Sequence, residues 1–496
     1  MGDDGLNVLV LNPPFLAKFS RSQRSPAVTK SGTLYFPMWL SFCVGALERE
    51  GHDVLFIDAP AQGHELGSVL TKATSLDPRL VVMDTSTPSI ANDLEVAAAL
   101  KEALPGVFIV LVGTHVSALP EETLLAAGGA VDAVARREYE LTVTELASRI
   151  QDAGGRGLGP ESVGEILGLS YRREGRVEHS PDRPLVEDLD SLPWVSPVYK
   201  RHLEARHYFN PLALYPMITL VTSRGCPFRC SFCVYPQAFS GRRYRFRSID
   251  DVLREMEYVT REFPEACSIF FEDDTLTANK KRCREFAEAI IAKGLRIPWT
   301  ANSRIDLDYE TMVLMKRAGC RQLCVGFESG DQAILDGMKK ATRIERMQEF
   351  MGEARRAGIL IHGCFMLGFP EDTPETVEKT IRLSLTLNPD TVQFYPVMVY
   401  PGTDAYEEYR AKGWITAKGY REWLTPEGLH NCVVRNDHFT SADLVKLCDQ
   451  ARRRFYLRPS YLARKARQLA LSPVEIGRTA KAARTFLKHL IVGSRV

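Results

Sequence analysis

Three cysteines stand within eight positions of the stretch RGCPFRCSFCVYP, which covers residues 224–236. Cys226, Cys230 and Cys233 have the spacing C-x3-C-x2-C, so one short loop could wrap their thiolates around a single inorganic centre. A structural zinc ion normally takes four protein ligands, and no further Cys or His lies nearby in the sequence. A disulfide would use only two of the three thiols. The pattern therefore favours a centre that needs three thiolates.

A 4Fe–4S cluster fits this count, because three thiolates leave one iron open to a substrate or cofactor. A zinc site completed by a distant ligand, and core thiols that are adjacent by coincidence, remain as alternatives. The chain has 11 cysteines, an odd number that does not suggest a secreted disulfide framework. For most of the others we predict small buried hydrophobes; they are Cys43, Cys267, Cys283, Cys320, Cys324, Cys364, Cys432 and Cys448.

The cysteine loop follows a predicted strand, MITLVTS (217–223), and opens a series of alternating strands and helices. Five more strand-like runs follow: CSIFFED (267–273), IPWTANS (297–303), RQLCVGF (321–327), LIHGCFMLGF (360–369) and DTVQFYPVMV (390–399). Six strand–helix units predict a partial (β/α)6 barrel over residues 214–404. Its active site is expected at the C-terminal ends of the strands, where the cysteine loop lies.

A different α/β pattern occupies residues 1–152. Short apolar runs alternate there with helical segments: NVLVL (7–11), DVLFID (53–58), LVVMD (80–84), VFIVLVG (107–113) and VDAVA (131–135). This pattern predicts a doubly wound, Rossmann- or flavodoxin-like parallel sheet whose ligand lies outside the carboxyl ends of the strands. Residues 153–213 are rich in Gly, Pro and charge and predict a linker with one short hairpin. Residues 405–496 predict a basic, helical C-terminal region that ends in a covering helix.

The cysteine motif, with the aromatic residue Phe232 before its third cysteine, resembles the signature of radical S-adenosylmethionine (radical SAM) enzymes. The resemblance implies a 4Fe–4S cluster whose open iron binds the amino and carboxylate groups of SAM. It further implies an external one-electron reductant, such as flavodoxin or ferredoxin. The reduced cluster of such enzymes cleaves SAM to a 5′-deoxyadenosyl radical, which abstracts a hydrogen atom from the substrate.

Several residues at later strand ends match the SAM-binding positions that this resemblance implies. FFEDDT (270–275) would bind the amino group, and Asp274 within it is also expected to cap a helix. Arg304 would face the SAM carboxylate or pair with Asp306. GFESG (326–330) would contact ribose or carboxylate, and HGCFMLGFPEDT (362–373) would contact adenine. The implied SAM-binding residues are Glu272, Asp273, Arg304, Glu328, Ser329, Gly363 and Gly368. Tyr235, Tyr244 and Tyr395 are candidate hydrogen donors or acid/base groups for a radical reaction without methyl transfer, with core or stacking roles as the alternative.

A doubly wound domain before such a barrel resembles the cobalamin-binding subfamily of radical SAM enzymes. The stretches that carry this resemblance are RSPAVTKSGTLYFPMWL (24–40), DAPA (58–61) and VGTHVSALPEETL (112–124). The motif D-x-H-x-x-G is absent from the sequence, so no histidine is expected to ligate cobalt from below. The implied corrinoid lining is Pro13, Pro14, Ser31, Gly32, Thr85, Ser86, Thr87 and His115. The alternative is that these loops only cap strands.

The overall charge excludes some partners: 63 Lys and Arg against 62 Asp and Glu create no field that would attract nucleic acid or an acidic membrane. No signal peptide and no apolar run of about 18 residues is evident, so we predict a cytoplasmic enzyme with a small-molecule substrate. The leading prediction is cobalamin-dependent C-methylation of an unactivated carbon in a secondary-metabolite precursor, such as a sugar, aminoglycoside or phosphonate. The alternative is a radical dehydratase, epimerase or cyclase without methyl transfer.

Overall fold

Two mainly parallel β-sheets carry the site-forming loops in the computed structural model, which describes residues 5–155 and 157–471. The first sheet has the strand order β2-β1-β3-β4-β5-β6-β7. Its first five strands are parallel and have the flavodoxin-like order 2-1-3-4-5. This confirms the predicted doubly wound domain. The strands are β1 (Asn7–Asn12), β2 (Asp53–Asp58), β3 (Leu80–Asp84), β4 (Phe108–Val112), β5 (Ala133–Ala135), β6 (Leu169–Arg173) and β7 (Arg176–His179).

Each face of this sheet has its own core, because successive side chains of a strand point to opposite faces. In β1, Val8 and Val10 join one buried cluster and Leu9 and Leu11 join another. The helices that cover the faces and the following segment are α1 (Met38–Arg49), α2 (Ala59–Gln62), α3 (Leu66–Leu76), α4 (Ile90–Ala103), α5 (Thr114–Ala118), α6 (Pro120–Ala126), α7 (Glu140–Asp152), α8 (Pro160–Gly164) and α9 (Val195–His202).

The segment 153–213 contributes to both halves of the protein. Its hairpin, β6 and β7, pairs antiparallel with β5 and so extends the first sheet. Its helix α9 packs against α1 of the first domain and against the first helix of the barrel. The charged and Gly-rich composition of this segment reflects its turns, while its buried apolar residues, including Leu169, Val195 and Val198, join the core.

The second sheet is the predicted six-stranded barrel, with its strands parallel and in chain order. Its strands are β8, β11, β12, β13, β14 and β15. Two further strands of two residues each, β9 just before the three cysteines and β10 after them, pair antiparallel. The bounds are β8 (Met217–Leu220), β9 (Ser223–Arg224), β10 (Arg245–Phe246), β11 (Ser268–Phe271), β12 (Trp299–Ser303), β13 (Cys320–Glu328), β14 (Leu360–Leu367) and β15 (Thr391–Pro396).

Helices alternate with these strands and continue beyond the barrel. They are α10 (Ile249–Glu262), α11 (Lys280–Lys293), α12 (Tyr309–Arg317), α13 (Gln332–Gly337), α14 (Ile344–Ala357), α15 (Pro374–Leu387), α16 (Asp404–Ala411), α17 (Ser441–Tyr456) and α18 (Pro459–Leu471). No helix among the described residues is long and apolar enough to span a membrane. The end of the predicted covering helix, residues 472–496, lies outside the described part of the chain.

Between α16 and α17, residues 412–440 form a loop with one 3-10 turn, Tyr420–Trp423. Gly413, Pro426 and Gly428 interrupt regular structure here. The loop returns to the first domain, where the carbonyl of Gly428 accepts a 2.8 Å hydrogen bond from the Val28 amide. The first domain and the barrel are therefore joined by several passages of the chain.

Candidate functional site

The cysteine loop leaves the C-terminal end of β8, and the acids after the next barrel strand hold it. Asp273 accepts hydrogen bonds from the Thr222 amide (2.6 Å), the Thr222 hydroxyl (2.6 Å) and the Ser223 hydroxyl (2.7 Å). Asp274 accepts from the Gly225 amide at 3.1 Å and caps no helix, since Asn279 caps α11. The expected helix cap at Asp274 is therefore wrong. Both carboxylates shape the entry to the cysteine loop.

The three thiols lie at the rim of the barrel in one loop. Cys226 is buried, while Cys230 and Cys233 are partly exposed. Burial raises the pKa of the Cys226 and Cys233 thiols. A bound metal would reverse this tendency, because thiolates are its ligands and their protons are released on binding. The donor set of three cysteine sulfurs on one short loop suits iron in a cluster.

A glutamine amide fixes the shape of this loop. Gln237 Nε2 donates to the carbonyls of Cys230 (3.4 Å), Ser231 (3.1 Å) and Cys233 (2.9 Å). Its Oε1 accepts from the Asp404 amide at 3.0 Å. Gln237 lies only four positions after Cys233, but it could not be predicted from the sequence because no local pattern distinguishes it. It is a positioning residue for the thiols.

Glu272 pairs with an arginine of the first domain. Arg24 Nη1 lies 2.5 Å from Glu272 Oε1, and Arg24 Nη2 donates to the Asp273 carbonyl at 2.8 Å. Asn302 Nδ2 donates to the other carboxylate oxygen of Glu272 at 3.2 Å. Burial raises the pKa of Glu272, and the charge of Arg24 opposes that rise. Both oxygens of Glu272 are thus engaged, one of them across the domain boundary.

Glu328 has an acceptor atom to offer. Lys340 Nζ lies 2.8 Å from Glu328 Oε1, and both side chains are buried. Glu328 Oε2 is buried and has no hydrogen-bond partner among the described residues. The residue also has a φ of +65°, a left-handed conformation that is costly for a non-glycine residue and concentrates at functional sites. This orphaned acceptor fits a donor such as a ribose hydroxyl or the ammonium group of SAM.

Arg304 adopts the second of its two expected roles. Its Nε donates to Asp306 at 3.0 Å, and its Nη2 donates to the Lys340 carbonyl at 2.8 Å. Its guanidinium stacks over the ring of Phe228 in the cysteine loop, with 3.6 Å between Cζ and the ring centroid. Phe232 packs edge-on against Phe369, with ring centroids 5.8 Å apart. These contacts tie the cysteine loop to two other strand ends.

Three predicted SAM contacts are engaged in packing behind the strand ends. Ser329 Oγ lies 3.3 Å from Thr380 Oγ1. A Cβ on Gly363 would meet the ring of Phe327 at 3.2 Å. A Cβ on Gly368, which has a φ of +101°, would meet Leu444 of α17 at 2.6 Å. In the structure these positions accommodate neighbouring helices and side chains.

Tyr235 joins the cysteine loop to the first domain. Its hydroxyl donates to the Ser22 carbonyl at 2.7 Å and accepts a 3.4 Å hydrogen bond from the indole of Trp39. The side chain is buried, and burial raises the pKa of its hydroxyl. The predicted hydrogen donor is therefore a buried phenol whose proton already forms a hydrogen bond.

A small cavity lies between the domains, at the point where Tyr235 meets the first sheet. Burial raises the pKa of Asp84 in its wall to about 7. The hydroxyl of Tyr139 is buried and has no hydrogen-bond partner within residues 5–155 and 157–471. This orphaned donor and the polar strand ends fit a polar cofactor edge. The lining residues are Arg21, Ser22, Trp39, Asp84, Thr85, Gly113, Thr114, Tyr139, Tyr235 and Phe239.

A buried arginine occupies the switch point between β1 and β3, where ligands bind in sheets of this order. Arg21 pairs with Asp93 at 2.6 Å and donates to Asn12 Oδ1 at 2.7 Å and to the Pro13 carbonyl at 2.9 Å. Both side chains of the ion pair are fully buried. Arg21 could not be predicted from the sequence, because its partner Asp93 is 72 positions away.

The other residues predicted for the corrinoid lining differ in their positions. Thr85 lines the cavity, whereas His115 Nδ1 lies 3.1 Å from Thr87 Oγ1 and its ring meets Tyr420 edge-on. Burial lowers the pKa of His115 to about 3. Three of the remaining predicted residues form local hydrogen bonds. The carbonyl of Pro14 accepts from Asn92 Nδ2 at 2.9 Å, Ser86 Oγ lies 2.8 Å from Ser89 Oγ, and Ser31 Oγ lies 2.9 Å from Thr33 Oγ1. Gly32, next to Ser31, has a φ of +74°.

Known proteins match both halves of the chain. The model of the Radical SAM superfamily matches residues 220–384, and that of the B12 binding domain matches residues 24–147. An uncharacterized methyltransferase of Pyrococcus horikoshii is 34% identical over 432 residues, which are 87% of this chain and 90% of that protein. An anaerobic magnesium-protoporphyrin IX monomethyl ester cyclase of Rubrivivax gelatinosus is 27% identical over 86% of this chain and 74% of its own.

The fold also matches a solved structure, the radical S-adenosylmethionine methyltransferase TsrM from Kitasatospora setae. It has a TM-score of 0.66 and 20% identity, and covers 82% of this chain and 76% of its own. The two matched families imply three cofactors, a 4Fe–4S cluster, SAM and cobalamin. The chain is an enzyme of the radical SAM superfamily with a B12-binding domain, in one family with its Pyrococcus relative.

Proposed function

We propose that this enzyme transfers a methyl group from SAM to an unactivated carbon atom of a small molecule, with cobalamin as the methyl carrier. The observation that supports this most is the cavity between the domains. Its wall combines Asp84 and Thr85, at the carboxyl ends of the first sheet, with Tyr235, two positions after the last cysteine of the loop. A corrinoid on the first domain would therefore lie next to the cluster. The Pyrococcus relative is itself described as a methyltransferase.

Each cofactor has its own set of residues in this proposal. Cys226, Cys230 and Cys233 hold the cluster, and Glu328 with its partner Lys340 faces SAM. The polar loops after β1, β3 and β4 hold the corrinoid. A flavodoxin or ferredoxin supplies the electron. When bound, these cofactors supply the radical and methyl-transfer chemistry.

The protein's own part is positioning and the exclusion of water. Gln237 and Asp273 fix the thiol loop, and the Arg24–Glu272 pair holds the first domain against the barrel. The buried rings of Trp39 and Tyr235 close the wall between the two cofactor sites. Holding reacting groups in a fixed, dry arrangement favours the reaction between them and prevents side reactions with water.

The test uses anaerobically reconstituted protein with SAM, a reductant and candidate sugar, aminoglycoside and phosphonate substrates. Methyl transfer predicts both S-adenosylhomocysteine and 5′-deoxyadenosine, with a methylated product. Cys230→Ala should abolish 5′-deoxyadenosine, whereas the exposed Cys267→Ala should behave as the parent. SAM cleavage that survives in Cys230→Ala would refute the cluster assignment.

The same assay separates methyl transfer from its rival. Formation of 5′-deoxyadenosine without S-adenosylhomocysteine would indicate a radical cyclase, dehydratase or epimerase, and would contradict methyl transfer. The similarity to the Rubrivivax cyclase keeps this outcome in the test. The hydrogen bond between Tyr235 and Ser22 does not favour it, because the phenol that could donate a hydrogen atom is already bonded and buried.

A further inference from the structure

Two thiols and an imidazole meet on adjacent barrel strands, apart from the cysteine loop. Cys324 of β13 and His362 and Cys364 of β14 each offer one ligand atom, and these atoms all lie within 4.8 Å of one another. The two strands are parallel neighbours, with Cys324 opposite His362 in the register. The two cysteines of this group, Cys324 and Cys364, lie 40 positions apart in the sequence.

The group formed by Cys324, His362 and Cys364 lies on the inner face of the barrel. Side chains alternate along the regular part of β13, so Cys324 and Gly326 share one face. A Cβ on Gly326 would meet Glu328 Oε1 and Lys340 Nζ, whereas Phe327 on the opposite face packs against Phe350 of α14. Since α14 covers the outside of the barrel, Cys324 points into its interior, on the same side as the Glu328–Lys340 pair.

The separation of the two sulfurs matches a metal site better than a disulfide. Cys324 Sγ and Cys364 Sγ are 3.8 Å apart. Two sulfurs bound to one tetrahedral zinc ion at about 2.3 Å each lie about 3.8 Å apart. A disulfide bond measures about 2.05 Å, so the thiols would have to approach considerably. The prediction of plain core thiols fails for this pair, because both are partly exposed and a histidine lies beside them.

We propose that Cys324, His362 and Cys364 bind one divalent thiophilic metal ion, Zn²⁺ by the preference of this donor set, inside the barrel. His362 Nδ1 lies 2.8 Å from Thr391 Oγ1. Hydrogen bonds of this kind orient the ring of metal-bound histidines. Binding releases the thiol protons to solvent. The fourth tetrahedral position is left to water or to a substrate heteroatom, and the site does not depend on the proposed methyl transfer.

Metal content tests this proposal on full-length, cluster-loaded protein. After equilibration with Zn²⁺ and removal of the excess, elemental mass spectrometry should find about one zinc ion per chain in addition to the iron of the 4Fe–4S cluster. Cys324→Ser, Cys364→Ser and His362→Asn should each weaken zinc binding by more than about 100-fold, since changes in residues behind the ligands alone cost about 10–100-fold. Cys267→Ser is the matched control and should retain the ion.

Two further measurements keep the site distinct from the cysteine loop. The triple variant Cys226→Ser, Cys230→Ser and Cys233→Ser should lose iron yet still bind one zinc ion. Cobalt(II) in place of zinc should produce thiolate-to-cobalt absorption that Cys324→Ser weakens. Zinc binding that is absent, or equal in all variants, would overturn the proposal, as would peptide mapping that finds a Cys324–Cys364 disulfide. None of these outcomes depends on SAM cleavage or methyl transfer.

Discussion

Replacing Arg24 with glutamine tests how strongly one buried ion pair holds the two domains together. Glu272 is 1% exposed in its side chain, and Arg24 is 30% exposed. Removing one partner of a buried pair costs about 3–5 kcal/mol, because the other charge remains buried and unpaired. Arg24 is partly exposed and Asn302 still donates to Glu272, so we expect the lower end, about 3 kcal/mol. For a domain of about 150–250 residues this corresponds to a fall in Tm of about 6–12 °C.

The loss should depend on pH with a defined sign. Burial raises the folded-state pKa of Glu272, and Arg24 opposes that rise. Without Arg24 the pKa rises further, so the folded variant holds a proton that the unfolded chain loses above about pH 4.3. The variant is therefore least destabilised at low pH. The loss of stability relative to the parent grows with pH between the folded-state pKa of Glu272 in the parent and its higher folded-state pKa in the variant. Above the higher value the loss is constant.

Thermal unfolding of four proteins at several pH values measures this effect: the parent, Arg24→Gln, Glu272→Gln and the double variant. The double variant should recover much of the stability lost in Arg24→Gln, because the buried charge of Glu272 is removed with its partner. Asp274, which lies 3.8 Å from Arg24, loses only its weaker pairing in both variants. A Tm deficit that does not change with pH, or a double variant as unstable as the sum of the two single changes, would refute the reasoning.

Three further predictions concern single side chains near the cofactor sites. Gln237→Leu should release cluster iron to a chelator faster than the parent, because up to three hydrogen bonds of about 0.5–1.5 kcal/mol each are lost from the loop. Glu328→Gln should weaken SAM binding by about 1.5–3 kcal/mol in equilibrium dialysis, while the exposed Glu349→Gln should not, since Glu328, unlike Glu349, has a buried acceptor that is unused in the described part of the chain. His115→Gln should flatten the dependence of stability on pH. Below about pH 6.5 the unfolded histidine binds a proton, whereas the folded histidine, with its pKa near 3, stays neutral. The free energy of unfolding of the parent therefore falls there by about 1.4 kcal/mol for each unit by which the pH is lowered.

Much of the fold could be predicted because its signals are local. The apolar runs LVVMD and VFIVLVG became the fully buried strands β3 and β4, since a strand covered on both faces needs no polar positions. The six strands of the barrel could be predicted in the same way, from six apolar runs separated by helical patterns. The role of residues 153–213 was harder to predict, because pairing of β6 with β5 depends on a register between distant segments.

The site could be predicted only where its residues are neighbours in the sequence. The three cysteines form a short motif, but Arg24 and Glu272 are 248 positions apart, and no single sequence indicates that they meet. Asp273 was expected to bind SAM and instead holds Thr222, because strand ends that are remote in the sequence meet at one edge of the barrel. The pairing of Cys324 with Cys364 was missed for the same reason.

The return of the chain from the barrel to the first domain affects how the protein is made. The turn Tyr420–Trp423 covers the loop after β3, and Tyr420 lies against His115. On the ribosome this turn emerges roughly 270 residues after the first domain is complete, and at about 5–20 residues per second that delay is on the order of 15–50 s. For that interval the loop after β3 and the ring of His115 in the nascent first domain lack the cover that this turn provides in the finished fold.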